Sequence, residues 1–183
     1  MKNNIIYIPA RYKSKRFPGK LLKKINSKSI LEHISDKVKN INYTPIIVSG
    51  DEKIISFAKK KKIKSFKSKK KHISGMSRVS EIVNHKSPKI IFILFGDELY
   101  LTEKNINDFV KYVNKSKNEN CWHLLTNIKN NDKKDKNVVK CKINKNHEII
   151  DFQRKYINKF DYKCVGIFAF NKNILQNYSN FKT

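Results

Sequence analysis

Arginine is scarce in this chain. Of 41 Lys+Arg in 183 residues, only Arg11, Arg16, Arg78 and Arg154 are arginines, and glycine is nearly as rare, at five. Long apolar runs are missing too. The longest, residues 90–95, has six residues and cannot span a bilayer. The apolar stretch near the start, residues 5–9, ends in proline and charge and is too short for a signal peptide. The three cysteines, Cys121, Cys141 and Cys164, have no metal-like spacing, and their odd number argues against a disulfide framework. These absences predict a cytoplasmic protein with no membrane partner. Acidic residues number only 15, leaving a net charge of +26. Such a charge raises nucleic acid as a partner. Yet no zinc-finger, RNP or helix-turn-helix pattern occurs. The densest lysine runs, at 59–64 and 67–71, flank a short apolar stretch instead of alternating with aromatics. A solvated lysine-rich surface is the better reading.

What is present centres on residues 5–22, IIYIPARYKSKRFPGKLL. An apolar run fit for a buried parallel strand passes directly into a basic loop that holds two of the four arginines and Gly19. A strand opening into a cationic, glycine-bearing loop brings backbone N–H groups and charged side chains together at the carboxyl end of a sheet, a common way to hold phosphates. Lysine is a poor substitute for arginine where planar, bidentate contacts are needed. Scarce residue types concentrated in one loop therefore point to side chains that matter.

The rest alternates. Residues 29–40 place Ile30, Leu31, Ile34 and Val38 on one helical face behind a Ser29 cap. Residues 44–49 form a second strand, with Asp51 and Glu52 opening the next helix, and a short strand is expected at 63–66. Ser74 and Gly75 turn into a helix that carries Val79, Ile82 and Val83 inward, with Arg78 in its first turn. Residues 89–101 read as a buried strand ending in Gly96-Asp97-Glu98. A helix capped by Thr102 follows, with Ile106, Phe109, Val110 and Val113 inward. A carboxylate at the carboxyl end of a central strand is a usual magnesium ligand in nucleotide sites, which singles out Asp97. Beyond it, strands at 122–128, 137–143, 148–152 and 164–170 follow one another without helices. The prediction is an α/β fold: a doubly wound, mostly parallel sheet with an antiparallel extension. We expect one domain over 1–183, with a nucleotide-binding half at 1–118 and a partial sugar-binding and dimerisation half at 119–183.

The segment IPARYKSKRFPGK resembles the opening signature of the 3-deoxy-manno-octulosonate (Kdo) cytidylyltransferases, which make CMP-Kdo for lipopolysaccharide. HISGMSR, 72–78, resembles the family's H-x-S-G-T-[DE]-R block, with Met76-Ser77 replacing the threonine and acid. FGDEL resembles VQGDEP, with Leu99 in place of proline. NVVK, 137–140, resembles P-N-x-V-K; DFQR, 151–154, stands where the family has Y-F-S-R; KCVGIFAF, 163–170, resembles K-H-I-G-I-Y-A-Y, with Cys164 for histidine. The resemblance implies the Rossmann-like fold of nucleotide-diphospho-sugar transferases and a substrate pair of CTP and an acidic sugar. It places Pro9, Ala10, Arg11, Lys20, Ser74, Gly75, Arg78 and Gly96 around the nucleotide, with Arg11, Lys20 and Asp97 catalytic. Asp97 would hold Mg²⁺, Lys140 and Arg154 would hold the sugar acid, and a homodimer is expected.

Residues 171–183 contain no counterpart of the family's G-V-D-T segment, which carries a second metal-binding aspartate. That implies either a fragment or a shortened homologue with slow turnover. The changes at 77, 99, 153 and 164 leave a different acidic sugar open as substrate.

Overall fold

Residues 4–13, 17–116, 119–156 and 160–178 are described by the computed structural model. Arg16, one of the two loop arginines, lies outside them. The chain forms two compact units, Met1–Trp122 with Ile167–Thr183, and His123–Gly166.

The first unit is built on β1 (Ile5–Pro9), β4 (Thr44–Ser49), β5 (Ser65–Lys67) and β6 (Ile90–Leu94), together with the second half of β10 (Tyr162–Asn171). Their order is β5-β4-β1-β6-β10. The first four strands are parallel. β10 runs antiparallel to β6, with Ile167 opposite Leu94 and Asn171 opposite Ile90. Both faces are covered, so the central strands are apolar throughout: Ile6, Tyr7, Ile8 and Ile91–Leu94 are all buried. Helices α1 (Ile30–Asn40), α2 (Glu52–Lys60) and α4 (Glu103–Lys115) share one face. There the Lys61–Glu32 ion pair links α2 to α1, and Phe109 of α4 meets Phe92 edge to face. The short helices α3 (Gly75–Ser80) and α6 (Lys172–Gln176) cover the other face, over Tyr7, Val48, Ile91 and Ile93. This is the doubly wound sheet that the alternating pattern predicts.

Local sequence explains the helix starts. Ser29 and Glu32 form a reciprocal capping box on α1, and Thr102 and Asn105 form one on α4. Every residue expected to face inward on these two helices is buried. A small hairpin of β2 (Lys24–Ile25) and β3 (Lys28–Ser29) precedes α1. Asn26 and Ser27 turn it with φ of 46° and 67°.

The second unit is antiparallel. It contains the end of β7 (Cys121–Asn127), α5 (Asn130–Lys134), β8 (Lys140–Ile143), β9 (Ile149–Gln153) and the first half of β10. β8 pairs with both β9 and β10, and a bulge interrupts β8–β9 at Lys142/Ile143.

Several boundaries differ from expectation. The strand expected over 89–101 ends at Leu94, because Glu98 N–H bonds back to Phe95 O and Leu99 N–H to Asp97 O, folding Gly96-Asp97-Glu98 into a turn. α3 stops at Ser80, so Arg78 sits in its last turn, not its first; Val79 and Val83 are nevertheless buried. The strand expected at 63–66 is shifted to Ser65–Lys67. Residues 137–139 precede β8 as a turn in which Val138 N–H reaches Asp135 O.

Candidate active site

Four pieces of the first unit meet at the carboxyl ends of β1 and β6. The first is Pro9–Ala10. Both residues are buried, and Ala10 N–H donates to Val48 O at 2.9 Å, which extends the β1–β4 ladder by one residue. Arg11, next in the chain, is exposed.

The second piece is the basic loop. Tyr12 N–H donates to Asp51 Oδ2 at 2.7 Å, and Gly19 N–H to Tyr12 O at 2.8 Å, so the loop is pinned at its base and folded back on itself. Gly19 has φ of 70°, and a Cβ there would lie 3.2 Å from the Tyr12 ring. Glycine fits on both counts. Lys53 covers the same ring at 4.5 Å. The sequence pattern assigns Asp51 to the start of α2. It precedes that helix, but its carboxylate makes no capping bond and holds the loop instead. An acid beside a helix start is so ordinary that nothing in the sequence marks this use.

The third piece is the start of α3. Ser74 and Ser77 cap it reciprocally, so Ser77 supplies the capping partner where the family motif carries an acid. Gly75 packs between two elements: a Cβ would come within 2.9 Å of Phe95 Cε1 and 3.0 Å of Pro9 Cγ. Arg78 Nη1 donates to Ala10 O at 3.2 Å, while its buried Nε has no hydrogen-bond partner. Burial pulls this guanidinium below its ordinary value; Arg11 adds to that, and Asp51 and Glu81 oppose it. It stays charged all the same.

The fourth piece is the turn after β6. Gly96 fits against Ile8, Leu21 and Leu31. Asp97 Oδ2 receives Lys20 Nζ at 2.8 Å, and their side chains are 44% and 39% exposed. The turn is held from below by Lys37, whose ammonium donates to the carbonyls of Leu99 and Leu101. An α1 lysine reads as surface in sequence, and no pattern sets this one apart.

Among the described residues no group of three or more His, Cys, Asp or Glu side chains is placed to hold a metal. Asp97 alone still suits magnesium, which commonly binds through one or two carboxylates plus substrate phosphates and water. A half-exposed carboxylate in an ion pair worth at most about 1 kcal/mol can be recruited by a phosphate-bound cation. Glu98 follows in the same turn.

The predicted sugar-side residues lie in the second unit. Lys140 is 0% exposed. Its ammonium donates to the carbonyls of Asp135 and Arg154. Arg154 Nη1 donates in turn to Asn137 O at 3.0 Å and Lys136 O at 3.5 Å. The two cations thus gather the carbonyls of residues 135–137. Lys163 pairs with Asp132 at 2.8 Å on α5. Burial pushes the Cys164 thiol up to about 12, with Cys141 beside it adding to the rise. A cavity of about 570 Å³ opens elsewhere, lined by Ile5, Tyr7, Ile46, Phe66 and Ile82 among others, and contains none of the predicted site residues.

Residues 5–182 match the cytidylyltransferase family. The chain belongs to that family. Among its relatives is the 3-deoxy-manno-octulosonate cytidylyltransferase of Thermodesulfovibrio yellowstonii, 30% identical over 198 residues, an alignment covering 95% of this chain and 77% of the relative. The enzyme of the same name from Wigglesworthia glossinidia brevipalpis is 34% identical, over 96% of this chain and 78% of its own. In fold, this cytidylyltransferase is similar to a CMP:2-keto-3-deoxy-manno-octonic acid synthetase solved with CTP, with a TM-score of 0.87 over 98% of this chain and 78% of that one, at 24% identity. Fold class and family agree with the expectation from sequence. No helix among the described residues is long and apolar enough to cross a membrane.

Proposed function

We propose that this cytidylyltransferase joins CMP from CTP to a 3-deoxy sugar acid, Kdo, with release of pyrophosphate, as a cytoplasmic step of lipopolysaccharide synthesis. The observation that carries the reading is the convergence of the pinned basic loop, the α3 start and the Lys20–Asp97 pair at one end of the parallel strands. The family and the names of the relatives support it.

The anomeric hydroxyl oxygen attacks the α-phosphorus of CTP, forming a P–O bond. The bond from that phosphorus to the oxygen bridging to the β-phosphorus breaks, pyrophosphate leaves, and the hydroxyl proton passes to solvent. The protein's part is positioning and charge neutralisation. Lys20, released from Asp97, and Arg11 hold the phosphates as charge gathers on the leaving group. Ser74, Gly75 and Arg78 hold the cytidine half. Asp97 would hold Mg²⁺, which supplies charge neutralisation on the phosphate oxygens when bound. Arg154 and Lys140 serve the sugar acid by fixing residues 135–137, since the Lys140 ammonium faces protein carbonyls. A homodimer is the proposed assembly. A different acidic sugar is the second reading, favoured by Cys164 at the family's histidine position.

Pyrophosphate release with Kdo and Mg²⁺, compared across CTP, ATP and GTP, tests the proposal. Release with CTP and Kdo alone is the expected result. Equal rates with all three nucleotides would remove the cytidine assignment, and release only with another sugar acid would favour the second reading.

A further inference from the structure

The segment between β5 and the end of α3 presents Ser74, Gly75 and Arg78, and one carboxylate ties its two ends together. Glu81, just past α3, accepts from His72 Nε2 at 2.6 Å through Oε2 and from Lys69 N–H at 2.8 Å through Oε1. Lys70 N–H contributes as well. Both side chains are sunk, with 7% exposure for His72 and 12% for Glu81. Burial would push the Glu81 carboxyl up, but the hydrogen bonds from Lys69, His72 and Lys70 outweigh it and hold it below its ordinary value.

This arrangement costs free energy to build. A buried carboxylate is tolerated only when its hydrogen-bonding capacity is met, and here three donors from one short segment meet it. The segment is otherwise poorly suited to hold a shape. It carries the lysine run 69–71, whose charges repel, and Ile73, which is 82% exposed and adds no packing. The core beneath fixes α3 and the turn after it through Val79 and Val83, with Met76 and Ile82 packed against its edge, and none of these lies in the run 69–73. Glu81 supplies what packing does not, a charged centre on which the lysine run closes.

We infer that His72 and Glu81 are positioning residues for the nucleotide: their clasp fixes the path from Lys69 to α3 and so sets where Ser74, Gly75 and Arg78 stand. The inference rests on the nucleotide reading of those three residues. His72 lies two residues before Ser74, and Glu81 three after Arg78, so an opened clasp frees both flanks of the presenting segment. Gly75 has little slack to absorb such a shift, given its close approach to Pro9 and Phe95.

The test uses the full chain with Glu81→Ala, Glu81→Gln, His72→Ala and His72→Gln. Opening the clasp should raise KM for CTP about tenfold, the effect of one charge-assisted hydrogen bond. Values of kcat and of KM for the sugar acid should move far less. His72→Gln keeps a donor of similar reach and should recover most of the loss, and the two alanine changes together should cost little more than either alone. Unchanged KM for CTP in Glu81→Ala, or equal losses in kcat, both KM values and melting temperature, would overturn the inference. Amide hydrogen exchange separates it from the functional reading. Wild-type protein that bound no nucleotide would overturn that reading. Protection lost at Lys69 and Lys70 in Glu81→Ala would still support the clasp, and protection kept there would overturn it.

Discussion

Lys20 and Lys140 both belong to family motifs, one in each unit, and they are built into opposite environments. Lys20 stands at the mouth of the strand ends, more than a third exposed, on a carboxylate as accessible as itself. Lys140 is fully buried, and its ammonium is committed to the backbone carbonyls of Asp135 and Arg154. An exposed ion pair contributes little to stability and opens at little cost. A buried ammonium on carbonyls cannot be withdrawn without leaving polar groups unsatisfied in the interior. The difference is therefore one of availability. The first unit leaves the Lys20 charge exposed, while the second commits Lys140 and Arg154 to its own backbone.

Replacing each lysine by methionine, which keeps the apolar stem, breaks the comparison where it is sharpest. Lys20→Met should lower pyrophosphate release by about a hundredfold or more, the usual cost of losing one charge-stabilising group. Its stability in urea should change by less than about 1 kcal/mol. Lys140→Met should do the reverse, losing about 2–3 kcal/mol of stability through two stranded carbonyls, with kcat at low temperature largely kept and KM for the sugar acid rising only together with that loss. If Lys140→Met were fully stable and raised KM for the sugar acid, the lysine would be a ligand-contacting residue and the contrast would collapse.

The same contrast separates what is legible in the amino-acid sequence from what is not. The apolar runs at 5–9 and 90–94 and the helical period of α1 and α4 are strong patterns, and they suffice for the doubly wound sheet. The loop at 10–20 stands out through its scarce arginine and glycine. Environment is not legible. Lysine is so common in this chain that neither composition nor the motif around Lys140 shows that its ammonium is buried on carbonyls, and nothing sets apart Lys37 under the Asp97 turn. The β2–β3 hairpin and α5 escape a reading by pattern because the first is carried by two left-handed residues and the second has no buried residue to set a period. The Asp97–Glu98 turn escapes it because an unbroken apolar run does not announce where its last residues leave the ladder.

Acid should separate the two units. Burial lowers His123 in the second unit from 6.5 to about 4, with its bond to Val165 O opposing the shift. A histidine depressed in the folded state stabilises it above the unfolded value, and the contribution is lost as pH falls from 6.5 through about 4. The amount is on the order of 3 kcal/mol. In the first unit burial would raise Glu32, but hydrogen bonds from Lys61 and Ser29 outweigh it and hold it at about 2. Its contribution survives to lower pH and is lost between 4.5 and about 2. Amide exchange should therefore show 123–156 losing protection in mild acid while 44–60 remain closed. Simultaneous loss would mean the units do not respond separately, and His123→Asn should flatten the earlier step.

The smallest expected effect concerns backbone. Four of the five glycines, Gly19, Gly50, Gly75 and Gly96, lie in the first unit. If that unit prepares its site through main-chain geometry and the second through buried cations, glycine substitutions should matter in proportion to how tightly each is held. Gly19→Ala meets two obstacles, a φ of 70° and the Tyr12 ring at 3.2 Å. The left-handed conformation costs an alanine about 1 kcal/mol. The ring must also give way by a few tenths of an ångström, because Tyr12 is fixed through its N–H to Asp51 and its carbonyl to Gly19. Lys20 is the next residue, so the displacement reaches its ammonium directly. The expected result is a loss of about 1–2 kcal/mol in urea unfolding with a modest rise in KM for CTP. Gly50→Ala is the control: its added Cβ would lie at an ordinary 3.4 Å from Ser68 Oγ, with no positive φ, so stability should hold or rise slightly. Equal costs at Gly19 and Gly50 would show that the loop's backbone is not what prepares the site, and the weight would pass to its side chains alone.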